Sequence, residues 1–415
     1  MKPAVLAAAF ALLPLLLAAQ DATPAPTSTP PPVESGTAKP PSKKPKKPEK
    51  PGKFIDSNPA LLYWQASALL PELKLPQTKL MTDVLEGRLP ASDPSVAAFL
   101  AGTRRGLDRF ARAARGKQPC VWGTTIDEGP FAPMPHLSMM QQMCRLALVQ
   151  AEVYYAAGDL EAAWQWTKHV HAAARHVGAD PLLITAIIQF GIEQQALRLS
   201  AKYALRMDVD HGDDIVRALK AMPPLRTVRE ALTGEHAMAE WTRLMVLGIQ
   251  NSPESEKAML EMAQTTLNAQ SEDSSAAKSL AAKQALASVG EWKELTEQGR
   301  ALQARVEAAS TKSWTEYQAD LQQIHASLAS ASPSLKNTLP AFEGAMRKQF
   351  ETRTLQNMLF AVLQPPADGH EDGEMKRFTD AFEGKPLILN RSKEPWIISM
   401  QGNVNGKPLE LQVGR

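Results

Sequence analysis

Two cysteines in 415 residues are too few for a structural zinc site, which needs four ligands. Other absences narrow the chemistry further. The chain has no G-x-S-x-G elbow, P-loop, dinucleotide fingerprint or paired-cysteine redox motif. It has no H-E-x-x-H, although His169, His171 and His176 crowd one helix. After residue 19 no run is apolar enough to span a bilayer, which takes roughly 20 residues. These gaps leave the common hydrolase, nucleotide-dependent and zinc-peptidase classes without support.

The opening stretch "MKPAVLAAAFALLPLLLAAQ" has one lysine, Lys2, then an apolar run from Ala4 to Ala19 broken by Pro14. A charged start, a short apolar core and a small-residue exit describe a secretory signal peptide over 1–19. Export to the periplasm or the exterior is therefore expected, with membrane tethering if the segment is not cleaved. Residues 20–53, with "TPAPTSTPPPVESGTAKPPSKKPKKPEKPGK", offer nothing to bury and read as a disordered, proline-rich, semi-rigid linker. Eight lysines against Asp21, Glu34 and Glu49 put +5 on residues 1–53. The net charge is +2, so the remainder carries −3. The lysines suit weak contact with anionic envelope polymers; an exported chain rarely meets nucleic acid.

In an oxidising compartment a disulfide between Cys120 and Cys144 is expected, closing a loop for about 3 kcal/mol. The alternative is two unpaired thiols, one of them on a helix's buried face.

The rest reads as mainly α: a multi-helix antiparallel hairpin bundle or short α-solenoid with a small C-terminal β-hairpin appendix. Asn58-Pro59 and Asp93-Pro94 are helix starts, the second helix stopping at Gly116. Lys117–Leu137 reads as a long loop. "SMMQQMCRLALVQAEVYYAAGD" and "LEAAWQWTKHVHAAARHVGAD" form a helical hairpin about Gly158-Asp159. "PLLITAIIQFGIEQQALRLSAKY" is apolar nearly all round, the mark of a central helix. Helices over Asp213–Met222 and Leu225–Leu247 complete a body spanning 54–251. Residues 252–338, rich in Ala, Glu and Gln, read as an elongated helical arm. Residues 339–415 read as a long helix, Pro340–Leu363, then "PLILN", "WIISMQG" and "PLELQVG" as strands, with Asn405-Gly406 as a hairpin turn.

Tyr154, Tyr155, Gly158, Asp159 and Ala163 resemble the turn of a tetratricopeptide repeat. No second copy follows at the required period of about 34, so the resemblance implies one hairpin and no array. The stretch Phe378–Gly406 is similar to the tail of type II secretion pseudopilins through Asp380, Phe382, Gly384, Pro386, Ser399 and Gly402. It departs from them at Ala381, where proline is usual, and at Met400-Gln401. The same tail closes a group of exported helical bacterial proteins of unassigned function with hairpins ahead of it, and the chain resembles these. "GNVNGKP" has no carboxylate, so the calcium site of pseudopilins is not carried over. The resemblance implies a helical body with a small β-rich tail.

Few residues offer site chemistry. His169 and His176 flank the apolar stripe of their helix and His171 lies on its other flank, all reading as partly exposed. Gln189 and Glu193 lie on the buried side of the central helix, where a carboxylate needs a partner such as Arg145 or a histidine. His236 and Glu240, four apart with Glu235 adjacent, could share a polar groove with them. Asp208, Asp210, Asp213 and Asp214 lack EF-hand spacing and read as a turn and helix cap; Asp368–Glu374 reads as a solvated loop. No cofactor and no metal site follows from these residues. The function expected is a non-catalytic scaffold or interaction module of the bacterial envelope, with a protein partner. The alternative is an envelope enzyme using carboxylate and histidine in the helical groove.

Overall fold

The computed structural model describes residues 58–126, 129, 132–206, 209–249, 289–328, 333–364, 373–392, 395–404 and 407–414. The signal-like start, the linker, most of the first half of the expected arm and Asn405-Gly406 lie outside the described residues.

The chain is mainly helical, with a small antiparallel sheet at its C-terminus. Helices α1 (Pro59–Leu69), α2 (Leu75–Leu85) and α3 (Pro94–Ala114) open it. Asn58 accepts from Ala60 N at 3.1 Å and Asp93 from Ser95 N at 2.8 Å, each just before a proline at the first helical position. Both caps answer amide donors that have no intrahelical partner. Then come α4 (His136–Ala156) and α5 (Leu160–Val177), turning at Gly158, whose φ is +82°. Asp159 caps α5 by accepting from Ala162 N at 3.0 Å.

Next is α6 (Leu183–Ala204), the central helix. Ile184, Ile188, Ile192, Leu199 and Tyr203 pack toward α1–α5. Leu183, Ile187, Phe190, Leu197 and Ala201 belong to a second core built from the rest of the chain. Both cores meet on α6, which confines its polar, water-facing side to a narrow strip of Gln194, Gln195, Arg198 and Lys202.

Two helices follow, α7 (Val209–Ala221) and α8 (Val228–Ile249). Leu225, read as the first residue of the second helix, precedes its start. Thr227 and Glu230 form a reciprocal cap there: Glu230 Oε2 accepts from Thr227 N at 2.7 Å, and Thr227 Oγ1 from Glu230 N at 3.2 Å. That Thr-x-x-Glu signal was present in the sequence.

Helices α9 (Val289–Ala309) and α10 (Trp314–Ser327) occupy the described part of the expected arm. They are built into the body: Leu302, Val306, Tyr317 and Ile324 are buried in the second core. The last helix, α11, runs Pro333–Leu363. It begins one proline earlier than expected and keeps Pro340 inside it.

The tail has four strands, β1 (Gly373–Thr379), β2 (Pro386–Asn390), β3 (Trp396–Ser399) and β4 (Glu410–Val413), in the order β1-β2-β3-β4, all antiparallel. β1 was not expected. Its beginning falls at the end of the stretch read as a solvated loop, and its sequence "GEMKRFT" hides the alternation behind charge. Leu387, Leu389, Ile398, Leu411 and Val413 are buried with α6 and α11 residues. Arg198 of α6 donates to Glu410 O at 3.0 Å, pinning β4 to the central helix.

Asp380, Phe382 and Gly384 of the tail build the turn between β1 and β2, with Pro386 opening β2; Ser399 ends β3 and Gly402 follows it. Asp380 Oδ1 accepts from Phe382 N (2.8 Å) and Glu383 N (2.6 Å), and Oδ2 from Lys385 N (3.1 Å). Gly384 takes φ +68°, where a side chain would be strained. Ala381, in the place usual for proline, donates its N–H to Thr354 Oγ1 of α11 at 2.9 Å. A proline has no such donor.

The expected disulfide is not formed: Cys120 and Cys144 are buried free thiols. They sit in the core around Tyr63. Burial pushes Cys120 up to about 12 and Cys144 higher still, so the thiolate that disulfide exchange requires is suppressed at both.

Candidate functional site

The polar centre of the molecule lies between α5 and α6. Their packing places His171 and Arg175, one turn apart on α5, opposite Glu193 of α6. Glu193 and His171 have no exposed surface. Arg175 Nη1 donates to Glu193 Oε2. His171 Nδ1 is 3.0 Å from Glu193 Oε1, close enough for an ion pair but not aligned as a hydrogen bond. Burial alone would raise the Glu193 carboxyl; His171 and Arg175 outweigh it and hold it at about 2. Arg175 also donates to His171 O (2.8 Å) and Pro223 O (3.2 Å), tying the α7–α8 loop to α5. The partner foreseen for Glu193 among the histidines is thus His171, and Arg145 is elsewhere, donating to Thr82 at 2.5 Å.

His171 Nε2 is 3.5 Å from Ser200 Oγ. Serine, histidine and carboxylate therefore stand in the order that activates a nucleophile. The chemistry is blocked twice. Ser200 is 1% exposed and its hydroxyl donates to Ala196 O at 2.9 Å. It also sits inside a helix, whose interior amides are already bonded one turn back and cannot serve as oxyanion donors.

Gln189, one turn before Glu193, does different work. Its amide donates to Arg226 O (3.0 Å) and accepts from Arg226 N (3.2 Å). Arg226 Nη2 returns to Ala179 O at 2.8 Å, and its Nε to Gly178 O. This closes a latch between the α5–α6 turn and the start of α8.

The other expected members lie on α8. His236 faces Glu307 of α9 at 3.7 Å, half-exposed. Glu240 lies a turn further along α8. Asp213 accepts from Gln364 at 2.8 Å and Asp214 pairs with Arg217 at 2.6 Å; Asp208 and Asp368 lie outside the described residues. Among the described residues no group of three His, Cys, Asp or Glu side chains is placed to hold a metal.

Of the histidines read as partly exposed, His169 and His171 are buried, whereas His176 is partly exposed as expected. His169 is 8% exposed, and burial, with Arg115 and Lys168 nearby, lowers it to about 4. Burial likewise lowers His176 to about 4. Helix α5 is covered by α3 as well as by α4 and α6, which buries His169 and His171 on its two flanks.

Sequence reasoning missed two features. One is an aromatic box: Trp122 stacks on His136 (4.6 Å, 13°) and on Tyr63 (5.7 Å, 23°). Tyr63 Oη and His176 Nδ1 are 2.9 Å apart, and Trp122 Nε1 donates to His176 O at 2.7 Å. The loop carrying Trp122 is thus anchored to α1 and α5, contacts that no local pattern announces. The other is Glu235, which accepts from Leu183 N at 2.9 Å and caps α6 from another helix. Its burial raises it to about 7 against that single backbone bond. Leucine at the first position of α6 with no side-chain cap of its own was the available clue.

Among the described residues no helix is long and apolar enough to cross a membrane. No protein-family model, curated protein or solved structure matches the chain.

Proposed function

We propose that this chain is an exported, non-catalytic helical interaction module of the bacterial cell envelope. The apolar start and the proline- and lysine-rich stretch that follows support export. The observation that carries the non-catalytic reading is the closure of the Glu193 centre. Its carboxylate, His171 and Ser200 are sealed from solvent and occupied with each other and with the α7–α8 loop. Such a centre rigidifies helices and offers a substrate nothing. The resemblance of the tail to that of pseudopilins supports an envelope setting, and Asp380 of that tail orders the turn whose Ala381 bonds Thr354 of α11.

The test is in-cell cross-linking followed by purification of the full chain and mass spectrometry. One envelope protein at fixed stoichiometry supports the module. A chain recovered alone from intact envelopes overturns it. The order Ser200–His171–Glu193 favours a second reading, a hydrolase that acts when α6 opens. Covalent labelling of Ser200 by a fluorophosphonate probe, abolished in Ser200→Ala, would establish that reading.

A further inference from the structure

Helix α3 presents a surface that the Glu193 centre does not explain. It turns Val96, Leu100, Leu107 and Phe110 inward. Its outer side carries Arg104, Arg105, Arg109, Arg112 and Arg115 against one acid, Asp108. These positions fall within about 140° of the helix circumference at 100° per residue. Cations in the last turn complement the helix dipole, which accounts for Arg112 and Arg115. Arg104 and Arg105 stand more than two turns from the end, beyond the reach of that effect. Arg105 and Arg109, and Arg109 and Arg112, are like-charged neighbours one turn apart, which repel. No ion pair with a described carboxylate engages Arg104, Arg105, Arg109 or Arg115.

Helix α5 continues the positive charge. Arg115 and Lys168 are the charges that act on His169, so the end of α3 and the middle of α5 bring two cations to one seam. His169 is buried there, and among the described residues its Nδ1 has no hydrogen-bond partner. A buried polar atom left in that state calls for a partner, and beside two cations the fitting partner is an anion. Gly116, just past α3, abuts Pro59. The chain thus enters the described structure at this end of α3, shortly after the lysines of "KKPKKPEKPGK".

We propose that the outer face of α3, continued by Lys168, binds a linear phosphate polymer that carries no bases. Guanidinium groups offer paired donors that fit phosphate oxygens. Arg104 and Arg115 stand about 16 Å apart along the helix axis. They cannot converge on one small anion, so the occupant must repeat its charge. The exposed residues ahead of the arginines are Ala97, Ala98, Ala101 and Gly102, which give bases no aromatic platform to stack on. This inference is independent of the module reading, since it uses neither the Glu193 centre nor a protein partner.

The experiment is calorimetric titration of the full chain with long-chain inorganic polyphosphate over a salt series. Saturable binding that weakens as salt rises is expected, because bound phosphates release their counterions. Arg104→Gln/Arg105→Gln/Arg109→Gln should lower the affinity by at least about tenfold and flatten the salt dependence, with the helical circular dichroism retained. Arg115→Gln/Lys168→Gln should lower it by about fivefold. Equal affinity for orthophosphate at the same phosphate concentration would reduce the strip to a single-anion site and overturn the proposal. Equal binding of polyglutamate, or tighter binding of oligothymidylate, would overturn it in favour of an acidic protein chain or a nucleic acid. Undiminished binding by the triple variant would assign attachment to the lysines before residue 54, with the same consequence. Should the triple variant fail to fold, Arg104→Gln/Arg105→Gln, which changes two exposed side chains, decides.

Discussion

Glu193 shows how a buried charge is tolerated. Its carboxylate is out of water, and what offsets that desolvation is His171 together with Arg175, the arginine itself fixed by two backbone carbonyls. Removing one partner of such a pair is far more damaging than removing both. Arg175→Met should cost about 3–5 kcal/mol in urea unfolding, and Arg175→Met/Glu193→Leu should recover a large part of it. A single-variant loss within about 1 kcal/mol would mean that the carboxylate does not depend on the arginine. Titration supplies a second check, with opposite signs at two sets of residues. His169 and His176 fall from the ordinary 6.5 to about 4 when folded. Their contribution is complete above pH 6.5 and is lost as pH falls through 4, on the order of 1–3 kcal/mol each. Glu193, at about 2 against 4.5, extends that loss below pH 4.5. Glu235 runs the other way, because its folded value is raised from 4.5 to about 7. Its contribution is complete below pH 4.5 and gone above 7. Glu235→Gln keeps an acceptor for Leu183 N and removes the buried charge. At pH 8 it should raise stability by about 1–3 kcal/mol, with little gain at pH 4.

At the scale of elements, two glycines at the ends of α5 have different reasons to be glycine. Gly158 takes φ +82° with nothing near a would-be Cβ, so only the backbone conformation demands it. Gly178 has no such backbone requirement, but a Cβ there would fall on the Gln189 amide. Gly158→Ala should cost about 1 kcal/mol of stability through backbone strain alone. Gly178→Ala should cost about 1–3 kcal/mol by driving Gln189 off Arg226. Combining Gly178→Ala with Gln189→Ala should be markedly less than additive, whereas Gly158→Ala with Gln189→Ala should be additive. Thermal unfolding of the five variants, Gln189→Ala alone among them, separates the two mechanisms. The helical starts at Asn58, Asp93 and Asp159 were legible because capping is local. The burial of His169 and His171 on α5 was not, since it depends on the helices packed across α5.

For the whole molecule the consequential feature is the position of the tail. Read along the chain it is a small unit after a long helix. In space, Phe382 joins Trp314 (5.1 Å) and Phe350 (5.6 Å), and β4 lies along α6. A chain ending at Gln364 would leave one side of α6 and α11 in water. It should therefore lose its cooperative thermal transition or unfold at a markedly lower temperature. An unchanged midpoint would make the tail an independent unit.

The sequence by itself determined the helical class, the Gly158 hairpin, the central, nearly all-round burial of α6 and the need of Glu193 for a partner. Each of these follows from caps, turn residues or apolar spacing within one or two turns of chain. Tertiary structure decided that the partner is Arg175 with His171, that α9 and α10 join the second core, and that Glu235 caps a helix other than its own. It also decided that the two cysteines remain thiols in an apolar core. These outcomes depend on which elements meet, and each meeting joins residues far apart in sequence, where no periodicity reaches.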